Sequence, residues 1–183
     1  MTKKMDTIIQ KSEVFVTHKL GNEINEKYLY HNLRHTQRVV NSTKELIDGE
    51  KVTEKDKEKL LVASWFHDLG YLESLQDHEE QSCRMAREFL SEEGCDKSFV
   101  DAVCALIMAT KMYYVPKDDL EKIMRDSDSS HFAKKSFVQT SELLREELSL
   151  LGLADFTIDE WRKENINLLR VKHRYFTDFA KEN

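Results

Sequence analysis

Apolar residues recur at intervals of three and four positions along nearly the whole chain. One such set runs from Val39 to Ile47 and another from Leu60 to Trp65. This spacing places the apolar side chains on one face of an α-helix. The pattern predicts seven or eight helices with short connections, over approximate spans of 5–20, 33–48, 53–68, 77–93, 96–111, 117–132, 136–151 and 157–181.

Polar residues at the ends of these spans support the assignment. Asn32 is suited to cap the amino end of the second helix, and Thr53 to begin the third. Gly70 and Gly94 follow helix ends, where a left-handed backbone conformation is often required. These positions therefore favour the proposed boundaries.

The composition agrees with an all-α fold. The 183 residues include only 1 Pro and 5 Gly, while 34% are charged and 40% apolar, a mixture that suits amphipathic helices better than turn-rich β-structure. The length is that of one domain, residues 1–183, with a core of its own. We therefore predict a single compact multi-helix domain.

Charge and cysteine content limit the partners. The formal net charge is -6, and acidic and basic residues are interleaved, so there is no basic tract for a nucleic-acid polymer. No apolar run approaches the roughly 20 residues that span a bilayer. The three cysteines lack CxxC spacing, and no leader is apparent, so we predict a cytoplasmic protein with reduced thiols. An anionic substrate would need a local cation, such as a bound metal.

Three residues are candidates for binding that metal. His35 lies in the first turn of the second helix, and His67 and Asp68 close the third. Two imidazoles and a carboxylate leave room for another anionic ligand, which the segment IMRDSDSSHF offers. Asp126 is the preferred ligand, because Asp128 is also suited to cap the helix or to bond to the backbone.

The order of these motifs resembles the HD superfamily of metal-dependent phosphohydrolases. His35, the His67-Asp68 pair and the later D-x-D segment follow the family's order, in the contexts FHDLGY, DHEEQS, IMATK and RDSDSSHF. The resemblance implies a core at about 28–132 with flanking helices at 1–27 and 133–183. It also implies that one divalent metal is held by His35, His67, Asp68 and Asp126.

The stretch YHNLRH is similar to the YHNxxH signature of class I cyclic nucleotide phosphodiesterases, which share the HD core. This similarity implies that His31 is a catalytic proton donor to the leaving oxygen and that His35 is a ligand. Imidazole titrates near neutral pH and suits this role. Asp68 acts with the metal, which activates water for direct attack on phosphorus.

Two further residues follow from comparison with two-metal members of the family. His78 corresponds to a histidine that contacts substrate phosphate or holds a second, weaker Mg or Mn ion. The position of a further family histidine is occupied here by Thr110-Lys111, and Lys111 is a candidate phosphate contact. The ligand set favours Mn, Fe, Ni, Co or Zn for the tightly held ion.

The resulting hypothesis is a phosphohydrolase that acts on a small, nucleotide-like phosphoester, either a monoester or a diester. One alternative is a non-catalytic HD module that binds nucleotide or metal, and a minor one is a diiron HD-fold oxygenase. No membrane or nucleic-acid partner is expected. Apolar stripes between Ile158 and Phe179 would suit a homodimer contact.

Overall fold

The computed structural model describes residues 7–182, and every regular element in that range is helical. This confirms the predicted all-α class. The nine α-helices of the described residues are α1 (Ile8–Glu23), α2 (Leu33–Gly49), α3 (Glu54–Phe66), α4 (His78–Glu92), α5 (Lys97–Met108), α6 (Asp119–Asp128), α7 (Phe137–Leu150), α8 (Ile158–Asn167) and α9 (Asp178–Glu182).

The predicted amino-terminal caps of α2 and α3 are confirmed. The side chain of Asn32 accepts a hydrogen bond from the Arg34 amide at 3.0 Å. Thr53 accepts one from the Asp56 amide at 3.3 Å. Each bond satisfies one of the amides that the first helical turn leaves without a partner.

Helix α3 lies at the centre of the molecule, in contact with α1, α2, α5 and α6. Its last five residues, from Val62 to Phe66, are all buried, as is typical of a helix surrounded on every side. Phe15 of α1 stacks on Phe66, and Phe89 of α4 packs against it at a tilt, with ring centres 5.9 and 5.5 Å away. This packing fixes the carboxyl end of α3, where the His67-Asp68 pair begins.

Two predicted helices are shorter than expected. The span 117–132 ends as an α-helix at Asp128 and continues as a 3₁₀ turn, Ser130–Ala133. The span 157–181 is not one helix, because α8 passes into a π-helical turn at Leu168–Lys172 and then into extended chain before α9. The first residues of the span 5–20 lie outside the described range.

Gly94 and Gly70 are required for different reasons. Gly94 has the expected positive φ of 76° after α4. Gly70 does not have a positive φ, so the predicted left-handed conformation is wrong there. A Cβ at Gly70 would lie 1.9 Å from the His78 carbonyl oxygen. Glycine therefore allows the turn Leu69–Leu72 to pack directly on the start of α4, beside the His67-Asp68 pair.

None of the described helices combines the length and apolar character needed to cross a lipid bilayer.

Candidate metal centre

Three side chains from three helices converge on one point. His35 comes from the first turn of α2, His67 caps the carboxyl end of α3, and Asp128 is the last residue of α6. The Nε2 atoms of His35 and His67 are 3.2 Å apart. Asp128 Oδ1 lies 3.2 Å from the first of these nitrogens and 3.7 Å from the second.

These separations match those of ligands around one ion. Imidazole and carboxylate ligands bind zinc-like ions at about 2.1 Å, so neighbouring ligand atoms of a tetrahedral site are about 3.4 Å apart. The atoms of His35, His67 and Asp128 therefore form a group that could hold a divalent metal with little rearrangement.

Asp68 adds a fourth candidate ligand. Its Oδ2 atom is 3.2 Å from His35 Nε2 and 3.3 Å from His67 Nε2. That oxygen is buried, and within the described residues it receives no hydrogen bond. A buried carboxylate oxygen without a donor is costly unless it binds a cation. Its position thus fits the metal that the donor set implies.

Hydrogen bonding orients the His67 ring toward the same point. Its Nδ1 donates to the Ser64 carbonyl at 2.9 Å, which leaves the Nε2 lone pair for the ion. Burial by itself lowers the pKa of His67, but the charge of Asp68 outweighs it and raises this pKa to about 9. Burial raises the pKa of Asp68, yet the opposing charge of His67 holds it well below its usual range. Protons therefore compete with metal for these ligands.

Asp126, which was predicted to be a ligand, is not among the side chains that converge on this point. Its carboxylate is buried and accepts hydrogen bonds from the amides of Phe176 and Thr177 and from the Thr177 hydroxyl, at 2.7–3.1 Å. Asp126 thus fastens the carboxyl-terminal segment to α6. Asp128 takes the place beside the histidines that had been expected for Asp126.

His31 lies beside the cluster, with its ring centre 5.8 Å from that of His35. Its Nδ1 is hydrogen-bonded to Oε1 of Glu147. The other oxygen of Glu147 accepts hydrogen bonds from the backbone amides of Tyr30, at 2.7 Å, and His31, at 3.0 Å. The His31 side chain is 21% exposed, so part of its ring is open to solvent.

Glu147 was not identified from the sequence. It lies in α7, 116 residues from His31, and no local motif links the two. One signal was available, because Thr140, Leu144 and Glu147 follow helical spacing on the inward face of α7. A carboxylate on an inward face needs a buried partner.

The structure places His78 near the second oxygen of Asp68. Its Nε2 is 3.9 Å from Asp68 Oδ1 and 3.4 Å from Glu79 Oε1, and its ring stacks on Tyr71 with centres 4.0 Å apart. Lys111, by contrast, is paired with Glu80 on the surface. Its ammonium is engaged there rather than directed at the cluster.

Comparison with protein families gives one match, in which the model described as HD domain covers residues 32–133, more than half of the chain. The matched range contains His35, His67, Asp68 and Asp128 and excludes His31 and Glu147. No curated protein and no solved structure matches the chain.

Proposed function

Since the chain belongs to the HD domain family, most of whose members are metal-dependent hydrolases, we propose that it is a phosphohydrolase that cleaves a small, nucleotide-like phosphoester. The observation that supports this proposal is the convergence of His35, His67, Asp68 and Asp128 beside a histidine held by a carboxylate. An ion and a positioned proton donor are the two components that phosphoester hydrolysis needs.

In this proposal His35, His67, Asp68 and Asp128 hold one divalent ion. When bound, such an ion lowers the pKa of water and polarises a phosphoryl oxygen. Two imidazoles favour Mn, Fe, Ni, Co or Zn over Mg as the tightly held ion. His78, whose Nε2 is 3.9 Å from Oδ1 of Asp68, contacts the substrate phosphate or a second, weaker Mg or Mn ion.

His31 is the proton donor in this mechanism. Glu147 binds the Nδ1 side of the ring, so the Nε2 side carries the proton that is transferred. Water attacks phosphorus, the ester bond breaks, and the leaving oxygen takes the His31 proton. The oxygen of water remains on the phosphate product, and one of its protons restores His31.

Elemental analysis combined with a screen of phosphomonoesters and phosphodiesters in Mn, Ni, Co and Mg tests this function. We expect about one transition metal per chain and metal-dependent release of product. Asp128→Asn should lower both, whereas the matched variant Asp126→Asn should retain the metal, because Asp126 faces the carboxyl-terminal segment.

Failure of the screen has two readings. Metal uptake without turnover of any ester would refute the hydrolase and indicate the non-catalytic binding module. Absence of bound metal under all conditions would refute the metal centre itself.

A further inference from the structure

Two guanidinium nitrogens of Arg38 are buried and have no hydrogen-bond partner among the described residues. Arg38 lies on α2, three residues after His35, and therefore on the same side of the helix about one turn further on. Its Nε and Nη2 atoms are buried, and no group among residues 7–182 accepts a hydrogen bond from them. No carboxylate in that range forms an ion pair with Arg38.

This lack of partners distinguishes Arg38 from the other cations near the site. Lys111 is paired with Glu80, and Arg125 donates to the carbonyl oxygens of Thr110 and Lys111 at 2.8 and 2.7 Å. Burial lowers the pKa of Arg38, in agreement with the absence of an ion pair. An unpaired buried cation is costly, and an anion that reaches it recovers this cost.

The two unpaired atoms define which anion fits. Nε and Nη2 form one edge of the planar guanidinium, and this edge can donate two parallel hydrogen bonds to a phosphate or carboxylate. The side chain as a whole is only partly buried, so rotation of its terminal torsions can present the edge to an entering group.

Tyr30 determines where that anion lies. The Arg38 guanidinium carbon is 5.8 Å from the centre of the Tyr30 ring, and this centre is 4.8 Å from that of the His35 ring. Tyr30 is buried, so an aromatic ring is in contact with both the cation and the metal-binding imidazole. Tyr30 thus contacts both residues, and this arrangement favours an anion at Arg38 that is separate from the phosphoryl group at the ion.

We propose that Arg38 binds a second phosphate of the substrate, separated from the scissile one by more than a single bridging oxygen. The inference rests on the proposed function and narrows its substrate class to compounds with two phosphates on one scaffold, such as nucleoside 3′,5′-bisphosphates. On this proposal pyrophosphate, whose two phosphates share one bridging oxygen, does not reach both the ion and Arg38.

Calorimetric binding measures this preference. Metal-loaded protein is titrated with adenosine 3′,5′-bisphosphate, adenosine 5′-monophosphate and pyrophosphate, in a His31→Asn background that prevents turnover. We expect the bisphosphate to bind about 10- to 100-fold more tightly than the monophosphate, the range for a bidentate charged contact. Pyrophosphate should gain no such advantage.

Variants identify the residue responsible. Arg38→Gln should reduce the preference to less than about 3-fold, and Arg38→Lys, which keeps the charge without the fork, should leave an intermediate value. Arg34→Gln is the matched control, because it removes the same charge from an exposed position one turn earlier on α2. The preference of this variant for the bisphosphate over the monophosphate should be unchanged. Unfolding curves verify that each variant is folded.

Two results would overturn the proposal. An undiminished preference in both Arg38 variants would show that Arg38 only packs on Tyr30. Equal weakening of monophosphate and bisphosphate in Arg38→Gln would assign Arg38 to the scissile phosphate instead. The calorimetric test measures binding and does not depend on turnover. If the wild-type protein hydrolysed no ester, the proposed function would be refuted, while the affinities of the Arg38 variants would still decide the role of Arg38.

Discussion

Replacing Glu147 with glutamine tests the proton donor directly. The variant keeps the size of the side chain but removes its charge, and it presents an NH₂ group where the carboxylate now accepts bonds from His31 and two backbone amides. Burial by itself raises the pKa of Glu147, but the hydrogen bond from His31 is among the contacts that lower it overall, so the carboxylate is ionised at neutral pH. The substitution therefore removes a charged acceptor.

The expected loss of stability follows from those contacts. A hydrogen bond to a charged group contributes about 1.5–3 kcal/mol, and an unsatisfied buried donor costs about 1–3 kcal/mol. We expect Glu147→Gln to lower the free energy of unfolding by about 2–4 kcal/mol, which for a chain of this size is a decrease in Tm of about 5–15 °C.

The loss should also depend on pH in a defined direction. The folded pKa of Glu147 is below its ordinary value of 4.5, so its stabilisation is complete above pH 4.5 and declines as pH falls through the folded pKa. The difference between wild type and variant should shrink accordingly in urea unfolding below about pH 4.5.

Activity toward two leaving groups separates proton donation from general damage. A positioned acid contributes about 10²- to 10⁴-fold to a rate when the leaving group is a poor one. Glu147→Gln should therefore lower kcat for a nucleoside ester by about 10²-fold or more, but for the p-nitrophenyl ester of the same phosphate by less than about 10-fold. The nitrophenolate departs without needing a proton.

Neighbouring substitutions complete the test. Glu146→Gln removes an adjacent exposed carboxylate and should change neither rate by more than about 2-fold. Adding Glu147→Gln to His31→Asn should cause little further loss with the nucleoside ester, since the two residues act as one unit. Equal losses with both leaving groups, or additive losses in the double variant, would refute the reasoning.

Three further predictions address the ligands, a glycine and a histidine. Asp128→Asn should lower metal content by elemental analysis, while Asp126→Asn should keep it and lose about 1–3 kcal/mol in urea unfolding; the reverse pattern would restore Asp126 as the ligand. Gly70→Ala should destabilise by about 3 kcal/mol or more in thermal unfolding, because its Cβ would meet the backbone of α4 at 1.9 Å. Gly21→Ala, whose Cβ would make only an ordinary contact with Leu33 at 3.9 Å, should stabilise by about 0.4–1 kcal/mol, and similar effects of the two would contradict this account. Burial, aided by the charge of His35, lowers the pKa of His131 from 6.5 to about 4. The unfolded chain then binds a proton more readily than the folded one, so the free energy of unfolding should fall by at most about 3 kcal/mol as pH is lowered from 6.5 to 4. His131→Gln should flatten that dependence in urea unfolding, and an unchanged slope would exclude His131 as its source.

The sequence was sufficient to single out the proposed ligands whose motifs are local. His35 follows a helix cap, and the His67-Asp68 pair lies between a helix end and a glycine that must pack closely. Such features depend on backbone conformation over a few residues, which short patterns encode well. The all-α class was equally accessible, because helical spacing extends through most of the chain.

The choice between Asp126 and Asp128 needed tertiary information. Two residues apart on a helix, their side chains point about 200° from each other, so only one of them can face the histidines. Which one does so depends on how α6 is rotated. The amides of Phe176 and Thr177 bind Asp126, about 50 residues further along the chain, and no local pattern predicts that contact.

The helices after residue 133 were predicted to be flanking structure, but their contacts give them a larger role. The family match ends at residue 133, yet α7 supplies Glu147, which holds His31 from outside the matched range. The carboxyl-terminal segment binds Asp126, two residues before Asp128. The matched core thus contains the four proposed ligands, while the segments beyond it orient the proposed acid and anchor the helix that carries one ligand. The chemistry of the proposed site therefore depends on these outer segments as well as on the matched core.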